Sequence, residues 1–139
     1  MLMSEHATVK YILYADDDED DQEIMKDLIP QIIPEMELII KENGLDVLDF
    51  LNELPKETNL PDLIILDLNM PFWDGIQTLK KIRKYEHYRH VPVLIFSTTS
   101  NEIDRHRALL AGAVGFVSKP SSYRELQSII KSFTFYFNS

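Results

Sequence analysis

Asp62-Leu63-Ile64-Ile65-Leu66-Asp67 sets four aliphatic residues in a row and closes them with an acid. A strand with one wet face alternates apolar and polar residues, whereas an uninterrupted run suits a strand covered on both faces, as in a parallel sheet with helices on either side. The stretch therefore predicts a central strand over residues 62–67, with a carboxylate at its carboxyl end.

Outward from this strand, short β-rich runs alternate with segments of helical spacing, the pattern of repeated βα units. Upstream, residues 9–15 read as the first strand and 19–33 as a helix with Ile24, Leu28 and Ile32 on one face, with Pro30 and Pro34 marking its end. Residues 37–41 form a second strand, Asn43-Gly44 turns the chain, a helix covers about 45–53, and 55–61 is loop. Downstream, the turn-rich Pro71-Phe72-Trp73-Asp74-Gly75 leads to a helix over 76–84 with Ile76, Leu79 and Ile82 inward. Residues 85–90 link this helix to strand four at 91–97. A helix over 101–110 and a fifth strand over 113–118 follow. The last helix, 122–137, is expected to be capped by Ser121 or Ser122 and to pack Leu126, Ile129, Ile130 and Phe133 on the sheet. Five units give an α/β, doubly wound parallel sheet.

The chain has 139 residues. That length fits one core, read here as a tail over 1–8 and a domain over 9–137. With 45% hydrophobic and 27% charged residues the composition is that of a globular protein. A net charge of -9 speaks against nucleic acid or an anionic membrane surface as partner, because both require basic protein surface. The absence of cysteine excludes disulfides and thiolate metal sites. The first eight residues lack a signal-peptide core and no apolar run approaches the ~20 residues that span a bilayer, so the expectation is a cytoplasmic protein.

In open parallel sheets, ligands bind beyond the carboxyl ends of the strands. Those ends carry Asp16 and Asp17 after strand one, Asp67 at strand three, Ser97 at strand four and Lys119 after strand five. Carboxylates gathered this closely raise one another's pKa or require a cation. Mg2+, which prefers oxygen ligands and rests on one or two carboxylates, suits them. The rest of the acidic run, Asp18, Glu19, Asp20 and Asp21, reads as a solvated helix start that favours the positive end of the helix dipole. Trp73, six residues after Asp67, is expected to sense metal binding through its emission.

The set of motifs resembles the receiver domain of bacterial response regulators, of the stand-alone, chemotaxis-regulator-like type. Tyr11-Ile12-Leu13-Tyr14-Ala15-Asp16-Asp17-Asp18, Ile64-Ile65-Leu66-Asp67-Leu68-Asn69-Met70-Pro71 with Asp74-Gly75, Val91-Pro92-Val93-Leu94-Ile95-Phe96-Ser97-Thr98, and Gly112-Ala113 through Phe116-Val117-Ser118-Lys119-Pro120 carry the likeness. The resemblance implies a flavodoxin-like fold with strand order 2-1-3-4-5. It also implies that Asp67 accepts a phosphoryl group from a histidine kinase or phosphotransfer protein. Asp17 would hold Mg2+ directly, Asp16 through water, and Asn69 through its backbone carbonyl. Ser97 and Lys119 would bind the phosphoryl oxygens, and Ser97 with Phe116 would form the switch. Ser121 departs from the Phe that many members carry after Lys-Pro.

Two other classes fit parts of the pattern. A Mg2+-dependent phosphatase or phosphotransferase would use a strand-end aspartate in the same way, but 139 residues with short connections leave little room for a cap over its substrate. A receiver-like interaction domain without phosphorylation would be expected to have lost the acids. The reading is thus a signalling module rather than an enzyme, acting only on its own phosphorylation and dephosphorylation. Its output is expected on the fourth helix, fifth strand and fifth helix, with Phe116 mainly inward. Part of Phe133, Phe135, Tyr136 and Phe137 is left to a downstream protein or a second copy.

Overall fold

The computed structural model describes residues 9–55, 59–99 and 101–137, so the expected tail lies outside the described residues. The elements run β1 (Tyr11–Ala15), α1 (Glu19–Ile32), β2 (Glu37–Lys41), α2 (Gly44–Glu53), β3 (Leu63–Asp67), α3 (Gly75–Arg83), β4 (Val93–Ser97), α4 (Glu102–Leu110), β5 (Gly115–Ser118) and α5 (Tyr123–Ser132). All strand pairs are parallel and the order is β2-β1-β3-β4-β5. The central strands β1, β3 and β4 are buried at every residue, as the unbroken apolar runs predict.

Successive residues of a strand point to opposite faces, and the core divides accordingly. Leu13, Ile64, Leu66, Val93 and Ile95 face Val47, Leu48 and Leu51 of α2 and Ile76, Leu79 and Ile82 of α3. Ile12, Tyr14, Leu63, Ile65, Leu94 and Phe96 face Met25, Leu28 and Ile29 of α1 and Ile130 and Phe133 beyond α5's middle. Each helix starts on a side-chain cap: Asp18, Asn43, Asp74, Asn101 and Ser122 accept from backbone N–H groups of the first turn. These caps satisfy donors that would otherwise be orphaned.

Several boundaries differ from expectation; β5, expected from residue 113, begins at Gly115. β1 begins at Tyr11, with Val9 46% exposed ahead of it. β4 begins at Val93 because Pro92 has no N–H for the ladder, although its carbonyl still accepts from Ile64 N at 2.9 Å. The expected long last helix is corrected: α5 ends at Ser132 and a single 3-10 turn, Phe133–Phe135, follows. There Ser132 Oγ donates to Ile129 O at 2.6 Å and Thr134 Oγ1 to Lys131 O at 3.1 Å, side-chain bonds that compete with the helical ladder. Phe133 stays buried, whereas Phe135 is 86% exposed.

Candidate functional site

The parallel register brings the strand ends together. Asp67 closes β3, Asp16 and Asp17 follow β1, Ser97 closes β4, and Lys119 follows β5, its backbone N bonded to Ser97 O at 2.6 Å. Oxygens of Asp16, Asp17 and Asp67 lie within 4.8 Å of one another, so the three acids expected to gather do gather.

Their surroundings are unequal. Asp16 is fully buried, and a buried carboxylate must be matched by donors. It takes Tyr14 Oη at 2.6 Å, Asp18 N at 2.9 Å and Lys119 Nζ at 2.9 Å. Asp17 is exposed to solvent. Asp67 is 5% exposed, with Asn69 N 3.4 Å from Oδ1 and Lys119 Nζ 3.4 Å from Oδ2. Its carboxyl is pushed up to about 7, first by burial and then by the Asp16 charge, against the opposing pull of Lys119 and the Asn69 N–H. Burial works against the Lys119 ammonium too, but the hydrogen bonds to Asp21 and Asp16 outweigh it and hold that group above its ordinary value. Tyr14 is raised by burial and by Asp16, so it remains a donor.

The loop after β3 is closed tightly beneath the acceptor. Gly75 N donates to Leu68 O at 2.8 Å, and a Cβ at Gly75 would lie 2.6 Å from Asp67 O, which only glycine allows. Within this loop Phe72 adopts φ 70, left-handed backbone that a bulky side chain rarely takes, with its ring 75% exposed.

The remaining expected site residues lie around this cluster. The Ser97 hydroxyl is buried and shares a 3.1 Å bond with Thr99 Oγ1 while accepting from Thr99 N, so it is engaged with its own loop. The Asn69 side chain is exposed. Phe116 is 6% exposed, turned into the core, with the Arg105 guanidinium 5.9 Å from its ring centroid. Trp73 is half-buried in a groove between α2 and α3, and Lys81 Nζ sits 4.3 Å from its ring centroid.

One site residue runs against the sequence reading. Asp21 is not part of a solvated face: its Oδ2 accepts from Lys119 Nζ at 2.9 Å. A signal was present in the spacing. Asp21 lies four residues before Met25, which α1 buries, so it stands on the inward stripe of the helix one turn nearer the site. Gln22 shares that side and donates from Nε2 to Asp16 O at 2.6 Å.

With this geometry in place, the profile of the response regulator receiver domain family matches residues 12–131. The chain belongs to that family. The receiver is 29% identical over 124 residues to the polar-differentiation response regulator DivK of Brucella anthropi, an alignment covering 89% of this chain and 95% of DivK. It is 42% identical over 78 residues to the KDP operon transcriptional regulatory protein KdpE of Escherichia coli, covering 56% of this chain and 33% of KdpE. The chain spans 30% of another relative, the cyclic di-GMP phosphodiesterase response regulator RpfG of Xanthomonas campestris, at 29% identity over 84% of its own length. Among solved structures, the Mn2+-bound form of response regulator Rcp1 superposes with a TM-score of 0.80 at 26% identity, covering 94% of this chain and 96% of Rcp1. The receiver is thus a signalling module of a two-component system. Among its described residues no helix is long and apolar enough to cross a membrane.

Proposed function

We propose that this receiver accepts a phosphoryl group on Asp67, with Mg2+ as cofactor, from a histidine kinase or phosphotransfer protein. The added group then switches a protein-binding surface on α4, β5 and α5. The observation that carries the reading is the cluster itself: three carboxylates with oxygens within 4.8 Å, one of them nearly buried and facing a lysine 3.4 Å away.

The donor set fits a hard divalent cation, because it offers oxygen ligands only and carries more negative charge than Lys119 offsets. Asp17, open to solvent, and Asp67 would be direct ligands, with the Asn69 backbone carbonyl alongside. Asp16, already occupied by Tyr14, Asp18 N and Lys119, suits a role through water. When bound, Mg2+ would neutralise charge on the carboxylates and on the phosphoryl oxygens. The Mn2+-bound form of Rcp1 supports a divalent ion bound by a receiver of this fold.

For the chain's own groups the chemistry is positioning and charge stabilisation. An Asp67 oxygen attacks phosphorus, the bond from phosphorus to the donor's imidazole nitrogen breaks, and the aspartyl phosphate remains. Lys119 pairs with a phosphoryl oxygen. Ser97 would leave Thr99 to bond another oxygen, drawing on the loop that begins at Thr98, while Phe116 is already inward. Downstream, a protein partner or a second copy would meet the apolar residues left exposed on that side, among them Leu110 and Phe135.

The test is intact-mass spectrometry after incubation with Mg2+ and either acetyl phosphate or phosphoramidate. A single base-labile phosphoryl adduct is expected on the wild-type chain and none on Asp67→Asn, whose amide keeps the shape but not the nucleophile. No adduct with either donor would assign the chain to the interaction domains that act without phosphorylation.

A further inference from the structure

The Lys119 ammonium has three N–H donors, and three carboxylates face it. Asp16 Oδ2 and Asp21 Oδ2 each lie at 2.9 Å, while Asp67 Oδ2 lies at 3.4 Å. The first two are within charge-assisted hydrogen-bond range and the third is outside it. The cation therefore sits beside the acceptor rather than on it. Asp67 closes the buried strand β3 and Asp16 directly follows the buried β1, so both acids are set by the sheet, and Asp16 shares the lysine with Asp21. Asp21 comes from the first turn of α1, outside the sheet, and accepts a hydrogen bond from the lysine at 2.9 Å.

Resting on the assignment of Asp67 as phosphoryl acceptor, we infer that Asp21 is a positioning residue: it holds Lys119 off the Asp67 carboxylate, leaving the acceptor oxygen free to attack phosphorus while keeping the cation near enough to pair with the group once transferred. Without Asp21, the ammonium has two acidic neighbours instead of three, and the unsatisfied N–H turns to the nearest remaining oxygen, Asp67 Oδ2. An acceptor oxygen bound by an ammonium is a poorer nucleophile. Asp21 also joins α1 to the junction of β5 and α5, and that purely structural contribution must be separated from the effect on Lys119.

The experiment measures the rate of phosphoryl uptake from phosphoramidate at saturating Mg2+ for the wild type, Asp21→Ala, Asp21→Asn and Asp21→Glu, with thermal unfolding recorded in the same buffer. The same Asp21→Ala change is also made in a Lys119→Ala background. Uptake is expected to slow on the order of tenfold in Asp21→Ala and Asp21→Asn, the scale of one misplaced charged contact, with most of the rate restored in Asp21→Glu. In the Lys119→Ala background the Asp21 change should add nothing, since a residue acting through another has no separate effect once that partner is gone. Unchanged uptake in both the Ala and Asn variants overturns the inference and leaves Asp67 as acceptor. Equal slowing in the two backgrounds also overturns it, because Asp21 would then act by some route other than Lys119. Absence of any adduct on the wild type removes the acceptor assignment and this inference with it.

Discussion

Helices α3 and α4 are both nine residues long and pack on the same face of the sheet, yet they are held very differently. α3 buries Gly75, Ile76, Thr78, Leu79 and Ile82, and its start is fixed by an Asp74–Gln77 capping box and by the close approach of Gly75 to the acceptor strand. α4 buries only Ala108, and leaves Ile103 and Leu110 more than 70% exposed. Full burial of an aliphatic side chain is worth roughly 1.5–3 kcal/mol, so the two helices differ by several such contributions. α3, which follows the acceptor strand, is thus a fixed wall, while α4 is loosely attached. A switch needs an element with two arrangements close in energy, and such elements come from the low-stability end of a fold. α4 meets that condition and α3 does not.

The largest expected contrast is in stability. Leu79→Ala, deep in α3, should cost about 2–5 kcal/mol, whereas Leu110→Ala in α4 should stay within about 0.5 kcal/mol of wild type. Urea unfolding followed by circular dichroism measures both, and similar losses would erase the distinction.

A second effect, on the order of a few kcal/mol, lies at the rim of the fixed wall. Asp67 has a folded-state value raised from 3.8 to about 7. Its contribution to stability is therefore whole below pH 3.8 and is lost as the pH climbs toward 7, because the native state retains a proton that the unfolded chain has released. In EDTA, Asp67→Asn should be more stable than wild type at pH 8, with the advantage shrinking toward pH 5. An Asp67→Asn variant less stable than wild type at pH 8 would show that the acid cluster is not the source of strain there.

The smallest effect concerns motion. Amides of α4 should exchange with solvent sooner than those of α3 in the unliganded protein. Addition of beryllofluoride and Mg2+ should alter exchange in α4, β5 and α5 while leaving α3 unchanged. Equal protection of the two helices, or changes confined to the loops around Asp67, would remove α4 as the moving element.

What the sequence determined by itself is what local periodicity and strand ends can encode. Unbroken aliphatic runs specify strands buried on both faces, the 3.6-residue spacing of Ile76, Leu79 and Ile82 specifies a helix face, and acids placed where apolar runs stop mark Asp16, Asp17 and Asp67. Such features depend only on near neighbours in the chain. The strand order came from family resemblance, not from any local pattern. Tertiary structure decided the contacts between distant segments. Helical spacing sets Asp21 apart from Asp18, Glu19 and Asp20, but its partner is Lys119, which β5 delivers from 98 residues away. Asp16, too, meets its lysine only in the folded chain, where Lys119 arrives from 103 residues away. The reason is physical: burial follows from the period of the chain, whereas the partner of a buried charge is whichever group the assembled sheet brings within about 3 Å.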